Sequence, residues 1–268
     1  MPRIRVRDIS IYYEIRGEGD PLFYIGGTGG DLRSSPSIFE RPVAKHFRIL
    51  AYDQRGLGQT DKPDTPYTMG DYAEDANGLL AALGWDRTHV LGVSFGGMVA
   101  QELAIRHPTR VKRLVLACTS SGGAGGSSYP LHELWTLPVR ERIARQLEVS
   151  DTRRDKQWQA MNHRRWEAMI ATRLAALTAS SREFRQERGL LRQLDARKTH
   201  DTYDRLPQLT MPVYICGGRY DGNATPDNLR ALKRQIPDAT LEFFQGGHGF
   251  LNEDPAAWTS VIAFLQAS

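Results

Sequence analysis

Only two cysteines occur in 268 residues, Cys118 and Cys216, and each stands inside an apolar run ("LVLACTS", "VYICGG"). That leaves no disulfide framework and no metal site to expect, and both residues read as small core side chains on buried strands. Two cysteines also suit a reducing compartment, so a cytoplasmic protein is expected. Long apolar runs are missing too. No window approaches the roughly eighteen apolar residues of a membrane-spanning helix. Met1 to Asp20 mixes charged with apolar residues and has no continuous stretch resembling a signal peptide. A basic stripe interleaved with stacking aromatics is absent as well, which argues against a nucleic-acid partner.

Charge is nearly balanced overall, with 35 Lys and Arg against 31 Asp and Glu, but its distribution is uneven. Residues 122–208 carry 16 basic and 11 acidic residues, and the rest of the chain carries 19 and 20. The plain expectation is that this excess lies on solvated helix faces. The alternative is that part of it faces a substrate with a remote negative group.

What is present is an alternation of strand and helix patterns. Ile4–Arg7 and Ile11–Ile15 read as an antiparallel opening pair, followed by apolar runs at Leu22–Ile25, 47–53, 89–94 and 111–119. A helix is expected over Ser37–His46 and another from Gly70 to Leu83, the latter opened by Thr68 and Asp71 at capping-box spacing and stopped by Gly84. Strands without internal alternation, separated by helices, predict a mostly parallel central sheet covered on both faces. The pattern breaks at "SSGGAGGSS" (120–128), a glycine-serine hinge, and turns helical to about Asp204. It resumes at 212–218 and 239–247 and closes with a helix over Pro255–Leu265. The division is therefore an α/β core, residues 1–121 and 209–268, with a helical cap inserted at 122–208.

Chemistry concentrates at "HVLGVSFGGMVAQE" (89–102). Gly92-Val93-Ser94-Phe95-Gly96 fits G-x-S-x-G between an apolar strand and a helix. Such a turn lifts the serine hydroxyl clear of the sheet, and the small flanking residues let strand and helix close around it. A serine hydroxyl needs a base to become a nucleophile. Of seven histidines, His248 alone follows a late strand and lies in a glycine-rich loop ("QGGHGF"). The carboxylate that would orient it is Asp221, just past the preceding strand, because the other customary position offers "TSSGG" and no acid.

The order Ser94, Asp221, His248, with the elbow and the central cap, resembles the α/β-hydrolase fold family along nearly the whole chain. "YDQRGLGQTD" (52–61) is similar to the D-x-R-G-x-G-x-S/T loop of that family, in which Asp53 and Arg55 would brace the loop. The resemblance implies a serine hydrolase that cleaves a carboxylic ester or lactone through an acyl-enzyme, without cofactor or metal. It also implies an oxyanion hole built from backbone N–H groups of Phe95 and Thr28. Gly26-Gly27-Thr28-Gly29-Gly30 departs from the family's usual His-Gly, which leaves Gly27 as the alternative donor to Thr28. "GGDLR" (29–33) is similar to the same loop of 3-oxoadipate enol-lactonases. Gly27 and the cap residues Trp135, Trp158 and Trp166 are the expected substrate-binding residues. Three rivals keep the same three residues: a C–C bond hydrolase of aromatic catabolism, a cofactor-free haloperoxidase or perhydrolase, and a ligand receptor of slow turnover. Elbow aspartate chemistry, as in dehalogenases and epoxide hydrolases, is disfavoured by Ser94. The expected partner is a small ester or lactone, with no nucleic acid and no membrane; a homo-oligomer and a monomer both fit.

Overall fold

In the computed structural model, residues 2–180 and 185–267 are described. They form an eight-stranded sheet in the order β1-β2-β4-β3-β5-β6-β7-β8. The strands are β1 (Arg3–Val6), β2 (Ile9–Arg16), β3 (Asp20–Ile25), β4 (Phe47–Tyr52), β5 (Thr88–Val93), β6 (Val111–Ala117), β7 (Val213–Gly218) and β8 (Thr240–Phe244). β2 pairs antiparallel with β1 and β4, and every later pairing is parallel. β5 lies between β3 and β6, with Gly92 facing Ile25 on one side and Leu116 on the other. Its apolar "HVLG" is buried throughout, as a central parallel strand requires.

Two apolar layers cover the sheet. On one face α1 (Met69–Ala82) and α2 (Phe95–Arg106) bring Leu79, Leu80 and Leu103 against Phe23, Val90 and Leu114, and α7 (Pro226–Gln235) adds Leu229 and Leu232. On the other, the last helix (Pro255–Gln266) packs Trp258, Val261 and Leu265 against Leu91, Val115 and Tyr214. α1 starts where the capping box predicts: Asp71 N–H donates to Thr68 Oγ1 and Thr68 N–H to Asp71 Oδ2, both at 3.0 Å. It ends at Gly84, whose φ of +69° favours a residue without Cβ. Both cysteines are buried, Cys216 on β7 as expected and Cys118 one residue past the end of β6.

Two expectations change. Ser37–His46 is not a helix but two 3₁₀ turns, Ile38–Glu40 and Pro42–Lys45. Pro42 is the reason, since a residue preceding proline is driven out of helical geometry, and Arg41 is extended at φ −89°, ψ 157°. The glycine-serine stretch 120–128 is also held in place. Thr202 N–H donates to the Ser121 carbonyl at 2.8 Å, Gly122 bridges Asp201, and Ser128 N–H reaches Ser120 Oγ at 3.2 Å.

Between β6 and β7 lie α3 (Val139–Ser150), α4 (Lys156–Met161), α5 (His163–Ser180) and α6 (Gln186–Lys198). They have a small core of their own, Ile143, Leu147, Trp166 and Ile170, with Trp158 packed at its edge. Among the described residues no helix is long and apolar enough to cross a membrane.

Candidate active site

Ser94 sits at the sharp turn from β5 into α2, with φ 56° and ψ −117°. A non-glycine residue pays for that backbone conformation in strain, which the surrounding packing must hold. Its carbonyl accepts from Gly97 N–H at 2.9 Å and from Thr119 Oγ1 at 2.8 Å, and its own N–H donates to Ala117 at 2.8 Å. The flanking glycines are explained by distance. A Cβ on Gly96 would lie 2.0 Å from the Ile25 carbonyl oxygen, and one on Gly92 would lie 2.5 Å from that of Gly96. Strand and helix could not approach this closely around any larger residue.

His248 arrives from the loop after β8. Its Nε2 lies 2.9 Å from Ser94 Oγ and its Nδ1 lies 2.7 Å from Asp221 Oδ2. Asp221 follows β7 and is 2% exposed. Its other oxygen accepts the backbone N–H groups of Asn223 at 2.8 Å and Ala224 at 3.0 Å, which fixes the carboxylate plane. With Oδ2 an acceptor, Nδ1 carries the proton and Nε2 is free to accept one from Ser94. The structure thus brings together Ser94, Asp221 and His248.

A fourth residue joins them that the sequence did not single out. Asn223 Nδ2 lies 3.1 Å from His248 Nε2, while its Oδ1 accepts from Arg197 Nη2 at 3.1 Å. Because the guanidinium only donates, it holds the amide oxygen on its side and turns the NH₂ toward the imidazole. The signal that could have found Asn223 is its place in "DGNATP", two residues after the acid.

The loop after β3 lies against Ser94. A Cβ on Gly27 would be 3.5 Å from Ser94 Cβ. Gln54 Nε2 holds the Gly26 carbonyl at 2.9 Å, and Gly29 N–H donates to Gln193 Oε1 at 2.8 Å. Gly29 is therefore spoken for, whereas the Gly27, Thr28 and Phe95 amides have no acceptor among the described residues. The bracing pair behaves as such. Asp53 accepts from Leu32 N–H and Gln59 N–H, each at 2.7 Å, and burial pushes its carboxyl up to about 6. Arg55 forks onto Asp75 (2.7 and 2.8 Å) and Asp8 (2.8 and 2.5 Å).

The tryptophans are placed elsewhere. Trp158 and Trp166 fill the small core of the inserted helices, and Arg142 stacks over Trp135 at 4.2 Å. None of the three lines the cavity of about 200 Å³ that opens beside α6. Trp158 and Trp166 serve packing among the inserted helices. As for a metal, Cys118, Asp221 and His248 present ligand atoms within 4.8 Å of one another. Burial holds the Cys118 thiol well above its ordinary value and hence protonated, and the other two already face each other, so this trio fits a metal poorly.

The family model for the alpha/beta hydrolase fold matches residues 20–255, and the chain belongs to that family as one of its hydrolases. The RutD protein of Azorhizobium caulinodans, whose name assigns it provisionally to carbamate hydrolysis, is 27% identical over 98% of this chain and 97% of its own. The poly(3-hydroxyalkanoate) depolymerase of Ectopseudomonas oleovorans is 29% identical over 92% of this chain and 84% of its own. Among solved structures, the enol-lactonase of Burkholderia xenovorans LB400 superposes with a TM-score of 0.79 at 23% identity, covering 99% of this chain and 100% of that one, a likeness of fold.

Proposed function

We propose that the protein hydrolyses a carboxylic ester or lactone through an acyl-enzyme on Ser94. The observation that carries this reading is the unbroken line Ser94 Oγ, His248 Nε2, His248 Nδ1, Asp221 Oδ2, with separations of 2.9 and 2.7 Å across its two hydrogen bonds. Ser94 Oγ gives its proton to Nε2 as it bonds to the substrate carbonyl carbon. The carbonyl oxygen becomes an oxyanion, which the open amides of Thr28 and Phe95 would stabilise. Collapse breaks the bond to the leaving alkoxide, which takes the proton from Nε2. Water then repeats the sequence, releasing the acid and restoring Ser94. A relative named for depolymerising a polyester supports the ester reading.

The test is covalent. A fluorophosphonate probe should label Ser94 stoichiometrically, and Ser94→Ala should stay folded while losing about 10³-fold or more in kcat on 4-nitrophenyl esters. Labelling at another residue, or an alanine variant that keeps most of its turnover, would remove the nucleophile from this mechanism.

A further inference from the structure

Six of the sixteen basic residues in 122–208 meet carboxylates in clear pairs. Arg140 meets Glu167, Arg145 and Lys156 meet Glu148, Arg153 meets Asp151, Arg188 meets Asp64 and Arg205 meets Glu102. Arg197 is different. It is 8% exposed at the end of α6, and its Nη2 is occupied by two neutral oxygens, Ser128 Oγ at 2.7 Å and Asn223 Oδ1 at 3.1 Å. Its Nε is buried without an acceptor, and no carboxylate pairs with it among the described residues. Burial pulls the guanidinium down only to about 10, so it remains a cation at neutral pH. A buried cation without a counterion is costly, and a bound anion would offset that cost.

The space for one adjoins it. Arg197, Lys198, His132 and His200 line the cavity of about 200 Å³ together with Ser120 and Ser128, and its lining contains no acidic side chain among the described residues. Glu133, 3.9 Å from His132, is exposed and lies outside that lining. Burial pushes His200 down to about 4, so it enters neutral. One buried guanidinium and an exposed lysine suit a monoanion better than a dianion. Ser94, Asp221 and His248 do not line the cavity, but it lies beside them. Met98, in its wall, stands one turn along α2 from Ser94, and the single amide of Asn223 separates Arg197 from His248 Nε2.

We infer that this cavity receives a carboxylate on the acyl part of the substrate, with Arg197 as its recognition group. The substrate class is then a short dicarboxylic half-ester or a carboxylate-bearing lactone. The planar fork of arginine matches the two oxygens of such a group. This inference rests on the hydrolase reading for its substrate, and on the cavity alone for its ligand.

Two measurements separate these dependencies. The first compares kcat/KM for mono-4-nitrophenyl glutarate and 4-nitrophenyl butyrate. The charged ester should be favoured about 10- to 100-fold, the range of a hydrogen bond to a charged group, and the ratio should collapse toward one in Arg197→Gln and partly recover in Arg197→Lys. The second titrates glutarate, glutaramide and inorganic phosphate into Ser94→Ala by calorimetry. Glutarate should bind, glutaramide should not, phosphate should bind more weakly than glutarate, and Arg197→Gln should weaken glutarate about 10-fold or more. Wild-type enzyme that prefers the neutral ester overturns the inference whether or not the Arg197 variants fold. So does glutarate binding that is absent, unchanged in Arg197→Gln, or matched by phosphate. If no ester is turned over, the hydrolase reading fails and the titration still decides the site.

Discussion

Replacing Asp221 by Asn tests the site with almost no change of shape. In the wild type one carboxylate oxygen accepts two backbone N–H groups, at 2.8 and 3.0 Å, and the other accepts His248 Nδ1–H at 2.7 Å. Asparagine has a single acceptor oxygen. The two backbone donors claim it, so the NH₂ must face Nδ1. Nδ1 can meet that donor only as an acceptor, which moves the imidazole proton to Nε2. There it faces Ser94 Oγ at 2.9 Å and Asn223 Nδ2 at 3.1 Å. Nε2 can no longer take the serine proton, and it is now a donor opposed to a donor. Asn223 cannot easily turn its oxygen inward, because Arg197 Nη2 holds that oxygen at 3.1 Å. A wrong-tautomer aspartate-to-asparagine change in a serine triad costs about 10⁴-fold in kcat, or about 5.5 kcal/mol of barrier. The expected result is a loss of that size with the thermal midpoint nearly unchanged. ¹⁵N spectra of the imidazole should show the proton on Nδ1 in the wild type and on Nε2 in the variant. A loss below about 10-fold, or a proton still on Nδ1, would refute the reasoning.

The remaining predictions concern the frame around the site. Gly96→Ala would set a Cβ 2.0 Å from the Ile25 carbonyl and should destabilise by about 3 kcal/mol in urea unfolding, at the upper end of overpacking. Arg55→Met leaves Asp75 buried with only Arg7 to pair it and should lower stability by about 3–5 kcal/mol by the same measurement. Hydrogen bonds from Arg55 hold the Asp8 carboxyl down to about 2, below its ordinary 3.8. A depressed carboxylate stabilises above its unfolded value and loses that contribution as pH falls. Unfolding midpoints should therefore drop between about pH 4 and pH 2. Asp8→Asn should flatten that limb. Gly247→Ala places a Cβ 2.1 Å from the Ser150 carbonyl, which should displace the His248 loop and cost about 10²-fold in kcat.

Local signals carried much of this. The central strands, α1 with its capping box, and the glycine-flanked Ser94 are decided by residues close in sequence, and the chain order indicated which acid and which histidine would lie beside it. Ser37–His46 failed for a local reason too: Pro42 was visible and outweighs the apolar spacing around it. Arg197 was beyond reach. In "DARKTH" Arg197 is one basic residue of sixteen between positions 122 and 208, and nothing nearby distinguishes it from Arg192 or Arg188. Its burial depends on Ser128, 69 residues upstream, and on Asn223, 26 residues downstream. Trp158 and Trp166 show the converse: read from the sequence as substrate contacts, they pack against Ile143 and Leu147 of α3, a contact that no local pattern reveals.

The inserted helices are tied to the core at the site itself. Three bonds join the end of α3 and the residues just after it to the core: His248 N–H donates to the Ser150 carbonyl at 2.6 Å, Gly222 N–H to that of Val149 at 3.0 Å, and Thr152 N–H to that of Tyr220 at 2.9 Å. One turn of the insertion therefore grips both the acid loop and the base loop. α6 grips the third loop, through Gln193 on Gly29 N–H. Opening the insertion as a rigid lid would break bonds to the loops of His248 and Asp221 and to the loop of Thr28 together. Arg197, at the end of α6, borders a cavity whose wall also includes Tyr129 and Pro130 from the segment leading toward α3. An anionic substrate entering there would meet its recognition group before its carbonyl reached Ser94, and the protein would not have to release its base to admit it.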